Sequence, residues 1–127
     1  MTELAKKSCK GCSGEVAPYT ADEAKDMMAQ LGEGWTLTKD NTRLYKQYPF
    51  KGFKGPLKLV NRIAAIADEE GHHPNFHFTW GEVEIEIWTH EAGGLTEDDF
   101  ILAAKCDEAR ETQRQEAKAR KEAKKSA

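Results

Sequence analysis

The chain is 127 residues long with a formal net charge of -3, a pI of about 5.8 and a mean hydropathy of -0.75. This length predicts one domain with a modest core, enlarged by oligomerisation. The charge offers no basic field for nucleic acid, and no apolar run approaches the ~20 residues that cross a bilayer.

Residues 1–19 lack apolar periodicity and contain Gly11, Gly14 and Pro18, which predicts a flexible N-terminal arm. Met1–Lys7 shows no apolar h-region, so a cytoplasmic protein is expected. The three cysteines, Cys9, Cys12 and Cys106, make an odd count that argues against a disulfide framework. Cys9-Lys-Gly-Cys12 has the spacing of a zinc knuckle or a redox pair, but no second pair completes a metal site. The arm is read as carrying no chemistry.

Thr20-Ala-Asp-Glu23 is a capping box. The helix it opens presents Ala24, Met27, Met28 and Leu31 on one face, and Gly32 or Gly34 is expected to end it. Trp35-Thr-Leu37-Thr alternates as a strand, Asp40-Asn41 marks a turn, and Leu44–Tyr48 returns as a second strand, making a hairpin.

From Phe53 to Ala67 the apolar residues recur at helical spacing. Pro56 falls in the first turn, and Gly71 stands where a terminal glycine stops a helix. Asn75–Trp80 is expected as a strand with Phe76, Phe78 and Trp80 on one face. Gly81-Glu82 turns the chain into Val83-Glu-Ile85-Glu-Ile87, whose glutamates face solvent or a partner. Thr96-Glu-Asp-Asp99 opens a last helix through Phe100, Ile101, Ala104 and Ala109. Residues 107–127 then read as a charged, solvated helical tail, its Lys and Arg interleaved with Glu rather than gathered into a nucleic-acid arm. Residues 20–106 are therefore predicted as an α+β domain. It has a four-stranded antiparallel sheet of two hairpins, with three helices packed on one face.

Three of the four histidines, His72, His73 and His90, stand at the ends of predicted elements, where imidazoles make a proton-transfer site rather than a core. Pro74 biases His73 to an extended backbone. Gly93-Gly94 allows a tight return that brings the Thr96 helix over the site. Asp68 or Asp99 is available to orient an imidazole. Each has a plainer reading: Asp99 as the third residue of a helix cap, Asp68 as a solvated acid, although an acid in a last helical turn opposes the helix dipole. His77 alternates outward and reads as surface. A metal is disfavoured by spacing, because helical i, i+4 histidines chelate one ion more readily than an adjacent pair.

Asp68, three residues, His72-His73-Pro74, then Trp80, His90 and Asp99 together resemble the pterin-4a-carbinolamine dehydratase family. Thr89-His90-Glu91 and Gly94-Leu95 match as well, and similarity extends over residues 20–106. Two positions depart from the family pattern: Asp68 is shorter than the glutamate often found there, and Phe76 stands where many relatives have tryptophan. The resemblance implies dehydration of 4a-hydroxytetrahydrobiopterin to quinonoid dihydrobiopterin. It further implies recycling of tetrahydrobiopterin for an aromatic amino acid hydroxylase, no metal or organic cofactor, and a homodimer or homotetramer. It assigns catalysis to His72, His73 and His90, with His72 and His90 as the acid–base pair and His73 binding the pterin. Pro74, Thr89 and Glu91 would line the pocket, and Asp68 and Asp99 would support the histidines. Family paralogues suspected of acting in molybdopterin metabolism, and members serving as coactivator or interaction modules, stand as alternatives.

Overall fold

A computed structural model describes residues 3–7, 17–90 and 92–126. Helix α1 (Ala21–Met28) starts on the expected capping box. The Glu23 amide donates to Thr20 Oγ1 at 3.2 Å, and the Thr20 amide donates to Glu23 Oε1 at 2.9 Å. The helix stops earlier than its glycines suggest. Ala29, Gln30 and Leu31 bond to carbonyls three residues back, so the spiral tightens and ends before Gly32.

Strands β1 (Thr36–Thr38) and β2 (Arg43–Pro49) form the first hairpin, with Lys39, Asp40 and Asn41 all at positive φ in its turn. Helix α2 (Lys54–Glu70) follows, then β3 (Asn75–Thr79) and β4 (Glu82–Ile87) as the second hairpin, then helix α3 (Glu97–Ser126). The sheet is antiparallel throughout in the order β1-β2-β4-β3. Two expected strand residues fall outside: Trp35 precedes β1, and Trp80 lies in the β3–β4 turn at 68 % exposure.

Period two along β4 sends Val83, Ile85 and Ile87 into the core and Glu82, Glu84 and Glu86 to the outer face. The inward residues meet Leu59 and Ile63 of α2 and Phe100 to Ala104 of α3, all buried. Each of the larger side chains among them contributes about 1.5–3 kcal/mol through removal from water.

The arm read as flexible and the tail read as solvated both carry contacts. In the N-terminal region, Glu3–Lys6 forms one 3-10 turn whose Leu4 is 1 % exposed, and Lys105 Nζ donates to the Ala5 carbonyl at 2.8 Å. Cys9 and Cys12 lie outside the described residues. In the C-terminal helix, Asp107 receives Trp35 Nε1 at 2.9 Å, Lys46 Nζ at 2.7 Å and the Tyr48 hydroxyl at 2.6 Å. Arg110 lies over the Phe50 ring, and Gln113 donates to the Gly55 carbonyl. Asp107, Arg110 and Gln113 thus join α3 to β2, to the chain beside the sheet and to α2. Among the described residues no helix is long and apolar enough to cross a membrane.

Candidate active site

Helix α2 ends at Gly71 in the left-handed region, at φ 67 and ψ 25, and beyond its chain neighbours nothing lies within 4 Å of where a Cβ would stand. The amides of Gly71 and His72 both return to the Ala67 carbonyl. This wraps the helix end and directs His72 inward, where it is 4 % exposed. Its Nε2 lies 2.6 Å from Asp99 Oδ1.

Asp99 sits in the first turn of α3 with no exposed surface, and its second oxygen is equally occupied. The Thr89 hydroxyl and the Thr96 amide both donate to Oδ2 at 2.8 Å. The two threonine hydroxyls lie 3.1 Å apart. Asp99 therefore fills both roles open to it from the sequence: it closes the N-terminus of α3, where a negative charge is favoured, and it holds an imidazole. A buried carboxylate needs this many donors to offset its lost hydration.

His73 turns the other way. Its side chain is 61 % exposed, and its Nε2 lies 2.9 Å from Asp68 Oδ1. The shorter acid thus reaches the second histidine of the pair rather than the first. An ion pair this exposed adds little stability, on the order of 0–1 kcal/mol, and biases which way the ring faces. Pro74 is buried behind it and leads into β3.

His90 follows β4 in a tight turn. The Thr89 amide donates to the Gly94 carbonyl at 3.0 Å, and the Gly93 amide donates to the Thr89 carbonyl at 3.0 Å. Gly93 has φ 74, a conformation that favours glycine. Glu91 lies outside the described residues. The His90 ring is exposed and stacks on Trp88, with centroids 4.3 Å apart and planes at 32°. Arg43 lies over the same indole, 3.8 Å from its centroid. Neither Trp88 nor Arg43 stands out in the sequence. The available signal was the alternation of β4, which carries on to set residue 88 on the outer face two positions before the histidine.

Thr89 connects these parts. Its hydroxyl binds the carboxylate that holds His72, and its carbonyl carbon begins the peptide of His90. The structure thus joins His72, Thr89, Thr96 and Asp99 directly, with His90 next in chain and His73 on the outward side with Asp68. Proton exchange is the chemistry such groups support near neutral pH. The set of metal-capable donors within 4.8 Å of one another among the described residues is a different one, His77, Glu82 and Glu84 on the sheet's outer face. His77 is exposed there, as its alternation predicted.

Comparison with known proteins gives a concordant result. The family described as Pterin 4 alpha carbinolamine dehydratase matches residues 17–109. A Rickettsia canadensis protein, named provisionally as a pterin-4-alpha-carbinolamine dehydratase, is 46% identical over 107 residues, covering 84% of this chain and 97% of that one. The Arabidopsis thaliana pterin-4-alpha-carbinolamine dehydratase 2, named as mitochondrial, is 42% identical over 112 residues, covering 85% of this chain and 59% of its own length. A crystal structure of a transcriptional coactivator/pterin dehydratase from Brucella melitensis superposes with a TM-score of 0.69 at 24% identity, over 73% of this chain and 98% of that one. At that identity the superposition speaks for the fold.

Proposed function

This chain belongs to the pterin-4-alpha-carbinolamine dehydratase family, and from that premise we propose that it dehydrates 4a-hydroxytetrahydrobiopterin to quinonoid dihydrobiopterin and water. The observation that carries the proposal is the Asp99 carboxylate, which binds His72 through one oxygen and the residue before His90 through the other.

The reaction breaks the C4a–O bond and forms the C4a=N5 double bond, with no change of oxidation state. The departing hydroxyl takes a proton from an imidazolium and leaves as water. The N5 proton passes to a second, neutral imidazole. His72 and His90 are proposed as this pair, each transfer being worth ~100- to 10,000-fold. Support for His72 is its fixed ring: an imidazole oriented by a buried carboxylate spends little freedom in reaching its transition-state geometry. His73, held by Asp68 and open to solvent, is proposed to bind the pterin, with Pro74 and Glu91 beside it. Thr89, its hydroxyl committed to Asp99, is proposed to support the pair. The proposal uses no metal and no organic cofactor.

Two wider parts of the proposal rest on the family alone: recycling of tetrahydrobiopterin for an aromatic amino acid hydroxylase, and assembly as a homodimer or homotetramer. The test of the reaction is the rate at which carbinolamine becomes quinonoid dihydropterin with purified protein compared with buffer. Acceleration with a KM raised in His73→Ala supports the assignment; a rate equal to buffer removes it.

A further inference from the structure

The three histidines of the site are oriented by different means. His72 has Asp99 and His73 has Asp68. His90 has no side-chain hydrogen bond among the described residues; its ring contact is the indole of Trp88 at 4.3 Å. An exposed imidazole in a loop would otherwise turn freely about its side-chain bonds. Aromatic stacking of this kind biases ring orientation by roughly 2- to 12-fold.

The indole is itself held. Leu44 pairs with Ile87 across β2 and β4, so the next step of the ladder brings Arg43 opposite Trp88. Arg43 lies 3.8 Å from the indole centroid, close enough for cation–π attraction. Its Nη1 donates to Glu86 Oε1 at 3.0 Å, and Glu86 projects from the same outer face two residues before Trp88. Glu86 fixes Arg43, Arg43 fixes Trp88, and Trp88 fixes His90. Arg43 and Glu86 stand on regular strand positions, and Trp88 directly follows β4.

We infer that Trp88 is a positioning residue for His90, and that Arg43 and Glu86 hold it in place. This rests on the reading of His90 as a proton-transfer group. Trp88 touches no reacting atom in this account. It acts by confining the imidazole to the plane from which His90 meets the pterin.

The test combines NMR with kinetics on the full chain. The His90 ring protons, identified by their loss in His90→Gln, are expected upfield of a free imidazole because the indole ring current shields them. Trp88→Leu is expected to return them to the free position and to lower kcat by roughly 2- to 12-fold, with KM within about twofold. Trp88→Phe, which keeps an aromatic face, is expected to recover most of both signals. Thermal melting of each variant separates misfolding from misplacement, and Trp88→Phe carries the test if Trp88→Leu does not fold. Full turnover with unshielded His90 protons in the wild type overturns the positioning inference alone. So does a kcat unchanged in a folded Trp88→Leu protein. Shielded protons without any turnover overturn the functional reading, and with it the purpose assigned to the stack.

Discussion

Asp99 and His72 meet at 2.6 Å although 27 positions separate them in the chain, one from the first turn of α3 and the other directly beyond α2. Both are almost wholly buried, and the remaining carboxylate oxygen is filled by Thr89 and Thr96. Removing the acid should therefore hurt the fold as well as the site. Asp99→Ala leaves an imidazole, a hydroxyl and an amide without their acceptor, and a loss of about 3–5 kcal/mol is expected. Thr89→Val removes one donor and keeps the shape, for about 1 kcal/mol. Urea unfolding of the two variants checks the ordering; equal and small losses would show that the network does not bind the elements together.

The end of α2 sets where His72 starts. Gly71 adopts φ 67 in open space, so a side chain there meets backbone strain rather than collision. Gly71→Ala is expected to cost about 1–2 kcal/mol, and Gly71→Asn less, since asparagine tolerates this conformation better. Melting temperatures of the pair measure it. An alanine variant as stable as the wild type would contradict the cap.

All three tyrosines of the chain titrate late. Burial and then the neighbouring acids raise Tyr19. A hydrogen bond to Glu84, with some desolvation, pushes Tyr45 up to about 12 from 10.0. Burial beside Cys106 and Asp107 drives Tyr48 far upward. A raised folded pKa means that the folded protein keeps protons the unfolded chain has lost. The stabilising contribution is complete below pH 10.0 and, for Tyr45, disappears as pH rises to about 12. Tyrosinate absorbance should stay well under half its final value at pH 10.0 and then climb together with unfolding. Ordinary titration centred on 10.0 with the fold intact would refute this.

Cys106 is completely buried on α3, and desolvation followed by the Asp107 charge raises its thiol well above the ordinary range. The thiolate is the reactive form. Iodoacetamide at pH 8 should leave the Cys106 peptide unmodified in native protein and label it in urea. Labelling at equal rates in both would place the thiol at the surface.

The sequence made the local regularities legible because they depend on neighbours in the chain. The capping box at Thr20 and Glu23, the glycine that ends α2, and the inward Val83, Ile85 and Ile87 against outward glutamates each follow from a short period or a cap. The histidines and Asp99 were legible as candidates, and the family resemblance was visible in their spacing. Their partners were not. Asp68 pairs with His73 rather than His72, whose ring enters the interior beyond the Gly71 cap while that of His73 stays outside, a direction that spacing does not encode. Lys46 points inward on β2 to meet Asp107, where hydrophobic counting finds only a charge. Leu4 packs into the core from a stretch with no apolar period at all. Trp88 lies one position beyond the Val83-Glu-Ile85-Glu-Ile87 run, although the alternation continues to it.

The central claim is that imidazoles at His72 and His90 move the two protons of carbinolamine dehydration. Its most direct measurement is stopped-flow formation of quinonoid dihydropterin by wild-type protein, His72→Ala and His90→Ala, each shown to be folded. The account predicts acceleration over buffer by the wild type and a loss of ~100-fold or more in each variant. Variants that keep the wild-type rate would contradict it.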